Sequence, residues 1–186
     1  MRIVALTTTE ITTLEAFADT VLPGRKRHEN DRAIAGVSPL PGAVEAGALT
    51  VLQDPATGID DGIAEMAHLL NEHAREHAAR IGVEVGDDVP FADLDYQARR
   101  GLVADLSAPD AALRDFWFLL ALFSYMAYDS APHRDTATAI AEEHPGLLAV
   151  GFARPDENGH WGFERASYRQ PMARLHPDTD ENGHLP

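Results

Sequence analysis

The sequence predicts an all-α protein: a compact helical bundle around a buried central helix, with an irregular C-terminal arm wrapped over it. Three observations carry that expectation. Apolar residues recur at three- and four-residue intervals in successive stretches, which is the period of a helix face and not of a strand. From Phe116 to Tyr128 only Ser124 is plainly polar, and a helix apolar on every side must be surrounded. Beyond residue 146 the helical period gives way to turn chemistry. At 186 residues, 20.2 kDa and 45% hydrophobic content, the chain suits one domain with a core that needs no covalent staples. The expected division is a helical body over 1–146 and an extended arm over 147–186.

The first helix announces itself through Thr7 with Glu10 three residues later, a capping box. Ile11, Leu14, Phe17, Ala18, Val21 and Leu22 then follow at helical spacing, and Pro23-Gly24 ends the run. A basic polar loop occupies 25–32. Pro41 fits the first turn of a second helix, Ala43 to Leu52, whose small residues suit close packing. Asp54-Pro55-Ala56-Thr57-Gly58 reads as a turn. Asp60 is positioned to cap a long helix running to about Arg80, with Ile63, Met66, Ala67, Leu70, Ala74 and Ile81 as its apolar stripe and Gly82 as its stop.

Residues 83–90 are short and acidic, either a loop or one weak strand. Phe91 and Leu94 lead into a helix carrying Tyr96, Arg99, Leu102, Val103 and Leu106 on one side. Ser107-Ala108-Pro109-Asp110 punctuates the chain before the central helix, which Arg114, Asp115 and Asp129 bound. Its apolar part is shorter than the roughly 18 to 20 residues of a membrane span, so protein is expected to cover it. A further helix, about Asp135 to Glu143, is broken by His144-Pro145-Gly146. In the arm, Asp-Glu-Asn-Gly-His occurs at 156–160 and again at 180–184, a match of turn composition too short for a structural repeat.

Charge narrows the partners. Thirty acidic against 15 basic side chains give a formal charge of -15, which repels nucleic-acid phosphates and anionic headgroups. With no cysteine there is no disulfide framework, thiolate nucleophile or thiolate metal site. Thr7 to Glu10 follow the first apolar residues so closely that a signal peptide is not expected, and the expected location is cytoplasmic. No G-x-G-x-x-G, Walker loop or H-E-x-x-H occurs, which leaves a standard nucleotide or dinucleotide site unsupported.

Four groups of residues are candidates for function. His73-Ala74-Arg75-Glu76-His77 matches the H-x-x-E-H pattern in which two His one turn apart hold zinc beside a general-base Glu; the alternative is a packed His77 and a surface His73. Asp129, His133 and His144 are the catalytic candidates if the protein is an enzyme. Across Ser130-Ala131-Pro132 the Asp129 carboxylate is placed to orient the His133 imidazole, the start of acid/base machinery; the alternative is a polar junction with Asp129 as a cap. Arg25, Lys26 and Arg27, in the one dense positive patch of an acidic chain, are candidate partner contacts or a solvated loop. Trp161, Tyr168 and Arg169 either pin the arm to the body or meet a partner.

The order of segments resembles the gluconate 2-dehydrogenase subunit 3-like family, and more closely its cysteine-free actinobacterial branch. The resemblance rests on Leu6-Thr7-Thr8-Thr9-Glu10, on the run from Leu14 to Gly24, and on Pro41 to Ala48. The later features are Asp129-Ser130-Ala131-Pro132-His133, His144-Pro145-Gly146-Leu147 and Ser167-Tyr168-Arg169. It implies a non-catalytic accessory subunit that binds and stabilises a flavin-dependent alcohol or sugar oxidoreductase of the glucose-methanol-choline type. The FAD is then in the partner, this chain holds no cofactor, and a signal-bearing partner is the route for any export. The family supplies no catalytic residues to carry over. The alternative is a stand-alone small-molecule enzyme of secondary metabolism using an Asp129/His133 pocket.

Overall fold

The computed structural model describes residues 5–152. Those residues form eight α-helices and two 3-10 turns, and no strand occurs among them. The chain divides after Val150; the described helices all lie in the first unit, and only Gly151 and Phe152 of the second are described. No helix among the described residues is long and apolar enough to cross a membrane.

Helix α1, Thr8–Val21, begins as its sequence requires. The Thr7 hydroxyl accepts from the Glu10 amide and the Glu10 carboxylate accepts from the Thr7 amide, closing the capping box. The backbone hydrogen bond from Thr7 holds the Glu10 carboxyl below its ordinary range. Pro23 and Gly24 end the helix where the chain passes Gly42. A Cβ on Gly24 would lie 2.8 Å from the Gly42 nitrogen, so the two backbones approach as closely as they do only because both residues lack side chains.

The bundle does have a buried central helix, and it is α1. Leu14, Ala16, Phe17 and Ala18 are each at most 1% exposed, and α1 packs against α2 (Ala48–Leu52), α3 (Ile63–Ile81), α4 (Pro90–Asp93), α5 (Tyr96–Leu106) and α6 (Arg114–Asp129). The Phe17 ring sits between Phe91 at 6.4 Å and Trp117 at 6.3 Å, centroid to centroid. Burying such a ring stabilises the fold by roughly 1.5–3 kcal/mol. A polar link crosses the same core: Asn71 donates to the Thr13 hydroxyl at 2.9 Å and accepts from the Phe91 amide at 3.2 Å.

Helix α6, expected to be the surrounded centre, is covered on one side only. Trp117, Leu120, Ser124 and Ala127 are buried, whereas Phe118, Leu122 and Tyr125 are 55%, 38% and 46% exposed. The physical reason is that α1 and α2 take the inner face and no described segment lies over the outer one. Ser124, the polar residue of the run, is satisfied by donating to the Leu120 carbonyl at 2.8 Å. Ala127 joins Ala18, Ala43, Ala48 and Val51 in a tight small-residue contact, which brings α2 and α6 close.

Smaller departures also have local causes. The second helix starts only at Ala48, because Gly47 is left-handed at φ 94° and turns the chain through 43–47. Asp60 lies in a 3-10 turn, Asp60–Gly62, and no side chain caps α3. Gly82 stops α3 in the left-handed conformation as expected, but Ile81 beside it is 45% exposed. Residues 83–89 form no strand. His144-Pro145-Gly146 starts a helix as well as ending one: α7 spans Thr136–Ala141, His144 caps α8, and α8 spans Pro145–Ala149.

A deeply buried charge pair joins α5 to α1. Arg99 is 3% exposed and its guanidinium donates to the carbonyls of Leu94 at 3.0 Å, Ala33 at 2.6 Å, Arg32 at 2.9 Å and also Ala92. Asp19 of α1, 1% exposed, lies 4.0 Å from it and accepts from the amides of Gly24 and Ala35. Desolvation pushes the Asp19 carboxyl up and the Arg99 guanidinium down. The pair ties α1, α5 and the long 22–47 connection into one unit.

Candidate functional site

The exit of α6 brings two of the three predicted catalytic residues together. The α6 C-cap is Ser130, and Ala131 follows at φ 47°, which swings Pro132 and His133 back towards α2. The His133 and His144 rings then meet edge to face with centroids 6.0 Å apart. A Cβ on Gly47 would lie 2.6 Å from His133 Nε2, so the glycine makes room for the imidazole.

The two histidines differ in what their nitrogens do. His144 is buried; its Nε2–H donates to the Ala46 carbonyl at 3.0 Å and its Nδ1 accepts from the Leu147 amide at 3.4 Å. A carbonyl only accepts and an amide only donates, so both ring nitrogens are engaged, Nε2 as donor and Nδ1 as acceptor. His133 Nδ1 is buried without a hydrogen-bond partner. Burial first, then the neighbouring His144 and Arg134, lower the His133 pKa, and Asp54 opposes them.

Asp129 does not complete the set. Its Oδ1 is likewise buried without a partner, so no hydrogen bond orients His133 from the carboxylate. A cavity of about 200 Å³ adjoins His133, lined by Val51, Phe123, Met126 and Pro132 with Asp54 and Thr57. That is smaller than the roughly 300–1,000 Å³ of typical small-molecule pockets. Chemically, the group offers a neutral imidazole beside an apolar niche, with neither an oriented proton acceptor nor a nucleophile joined to it.

The His73/His77 pair lies on α3 at the edge of a groove of about 410 Å³ shared with α5. His77 is buried, and Arg80 donates to its Nδ1 at 2.7 Å while also donating to Asp105 at 2.8 Å. A guanidinium only donates, so the Nδ1 lone pair is occupied and the proton sits on Nε2. His73 stands edge-on to Trp117 at 6.2 Å and 3.9 Å from Glu76. Among the described residues no three His, Asp or Glu side chains converge to hold a metal ion.

The arginines of the basic loop are each paired with carboxylates of this chain. Arg25 forms a two-bond pair with Glu45, Arg27 bridges Glu15 and Asp31, and Arg32 bridges Asp88 and Asp93. Hydrogen bonds to Asp31 and Glu15 raise the Arg27 pKa, and those to Asp88 and Asp93 raise that of Arg32. Lys26 donates to the Glu29 carbonyl at 3.4 Å and lines an open groove of about 830 Å³ with Arg32, Tyr96 and Val37. Trp161, Tyr168 and Arg169 lie outside the described residues.

The surface feature that sequence reasoning missed is the outer side of α6. Phe118, Leu122 and Tyr125 stand at i, i+4 and i+7 and are all exposed, and Leu113 just before the helix is 56% exposed. The signal is present in the spacing: the apolar run from Phe116 to Tyr128 has two faces at helical period, and a chain this size has one core to fill. Further apolar exposure occurs at Leu148 and Val150 by α8.

Comparison with known proteins adds one relationship. No curated protein and no solved structure matches the chain. A family model, described as "Family of unknown function (DUF5987)", matches residues 8–186, almost the entire length, and the chain belongs to that family.

Proposed function

We propose that this chain is a non-catalytic accessory subunit that binds and stabilises a flavin-dependent alcohol or sugar oxidoreductase, the FAD residing in the partner. The observation that carries the reading is the outer face of α6. Three large apolar side chains, two of them aromatic, stand exposed on one rigid helix. Scattered single apolar residues are normal on a surface, but an aligned set marks an interaction site. The flavoprotein as partner comes from the resemblance of the N-terminal segments and of Pro41 to Ala48 to gluconate 2-dehydrogenase subunit 3-like proteins. The candidate histidines support docking more than catalysis, because His144 is a cap and His133 has no oriented partner.

The test is isolation of the tagged chain from its native host. The expected result is a stoichiometric complex with a larger protein whose absorbance spectrum is that of bound flavin, and whose thermal stability falls when this chain is removed. Recovery of the chain alone at full abundance, or with a partner free of flavin, overturns the assignment.

A further inference from the structure

We infer that the niche beside His133 binds a small quaternary ammonium ion, a trimethylammonium group on a short chain. The site uses none of Phe118, Leu122 and Tyr125, so it is independent of the accessory-subunit reading. Its walls are Val51 of α2, Phe123 and Met126 of α6, and Pro132, and its volume is about 200 Å³. An apolar cavity of about 150 Å³ takes up benzene, so the niche has room for a compact ligand slightly larger than that.

One free carboxylate oxygen sets the charge of that ligand. Asp54 lines the niche, and its Oδ1 accepts from the Ala56 amide at 2.9 Å. Its Oδ2 has no hydrogen-bond or ion-pair partner among the described residues. Unlike Asp129 Oδ1, that oxygen is not shut away from solvent. His133, which lines the same niche, adds no opposing charge at neutral pH, because burial, His144 and Arg134 hold its pKa below the ordinary value against the pull of Asp54. Arg134 is itself paired with Glu142. The last turn of α6, which supplies Met126, carries the helix's partial negative charge at the same end.

Other ligand classes fit these walls less well. An anion meets the Asp54 carboxylate, and a neutral apolar guest desolvates that carboxylate without compensating it. A metal ion needs several oxygen or nitrogen ligands in place of its water, and among the described residues no three His, Asp or Glu side chains converge. A primary ammonium brings three N–H donors. Beyond Asp54 Oδ2 it finds few acceptors: the Thr57 hydroxyl already donates to the Asp54 carbonyl at 2.7 Å, and His133 Nδ1 is sealed. N-methyl groups need no acceptor. Their spread charge suits an aromatic and thioether wall beside one carboxylate, and the formal charge of -15 concentrates cations around the chain.

The experiment is isothermal titration calorimetry of the full chain at neutral pH and physiological salt with three probes: choline, its uncharged carbon isostere dimethylbutanol, and its unmethylated counterpart ethanolamine. Choline is expected to bind saturably at one site, at least tenfold tighter than either of the others. Asp54→Asn, whose side-chain oxygen still caps Ala56, is expected to weaken choline about tenfold. Ala56→Phe, at an exposed position on the mouth of the niche, is expected to abolish binding, and it reads the same site should Asp54→Asn fail to fold. Glu72→Gln, on the exposed side of α3, is expected to change nothing. Absence of saturable choline binding, or dimethylbutanol or ethanolamine binding as tightly as choline, overturns the site. So does a choline affinity that Glu72→Gln lowers as much as the niche variants do, which is the mark of diffuse surface charge.

Discussion

The His133 and His144 rings meet edge to face at 6.0 Å, yet only His144 has both nitrogens hydrogen-bonded. Burial makes the fold resist protonation of His133. Its pKa in the folded protein lies below the ordinary 6.5, through burial first and then His144 and Arg134, with Asp54 opposing. Between the folded value and 6.5 the unfolded chain binds the proton more readily, so stability rises with pH across that window and is lost as pH falls through it. The carboxyls of Glu10, Asp31 and Asp135, held low in the fold, act in a more acidic range. Thermal melts at pH 7 and pH 5 are expected to show a larger drop in Tm for the native chain than for His133→Gln. Equal drops would exclude His133 as the source.

Gly47 is the other half of that junction. It is left-handed at φ 94°, and a Cβ there would lie 2.6 Å from His133 Nε2. Gly47→Ala thus meets two penalties, backbone strain of about 1–3 kcal/mol and displacement of the imidazole. In denaturant titrations, Gly47→Ala is expected to destabilise the native chain more than it destabilises His133→Ala, since the second background removes the clash and keeps the strain. Equal effects in both backgrounds would show that the ring yields freely.

The Asp19–Arg99 pair makes a sharper stability prediction. Arg99 satisfies four backbone carbonyls in the core, and a lysine ammonium has neither the fork nor the number of planar donors to replace it. Arg99→Met leaves Asp19 buried and the carbonyls unpaired, a loss expected at about 3–5 kcal/mol. Arg99→Lys is expected to recover little of it. Urea titration followed by circular dichroism reads both; a loss under ~1 kcal/mol for Arg99→Met would mean that water replaces the hub.

Much of this architecture is legible in the chain, and the failures share a cause. Thr7 and Glu10 fix the start of α1 because a capping box is a local interaction, and Gly82 ends α3 for the same reason. Arg99 falls at an apolar helical position, so its side is legible, but its partners at residues 32 and 33 are far away in sequence. The His133/His144 contact was foreseeable only as a pairing of types; Gly47 and Ala46, which decide what the rings do, carry no chemical label. The one-sided burial of α6 is not legible in the chain, because apolar composition says that a helix needs cover without saying on which face the described helices supply it.

That distinction makes the last prediction. Leu120 and Leu122 are two residues apart on α6, one 0% and the other 38% exposed. Truncating a buried leucine removes its transfer energy and leaves a cavity, about 2–5 kcal/mol, whereas a surface change away from special features stays within about 0.5 kcal/mol. Leu120→Ala is therefore expected to lower stability by about 2–5 kcal/mol in the isolated chain, and Leu122→Ala by less than ~1 kcal/mol. If the outer face of α6 docks a partner, Leu122→Ala is expected to raise the dissociation constant of that complex while leaving the isolated chain's melting curve in place. Denaturant titration of the isolated variants checks the first half, and a binding titration checks the second. If Leu122→Ala destabilises the isolated chain as much as Leu120→Ala does, the outer face of α6 is core after all, and the docking reading of that face falls with it.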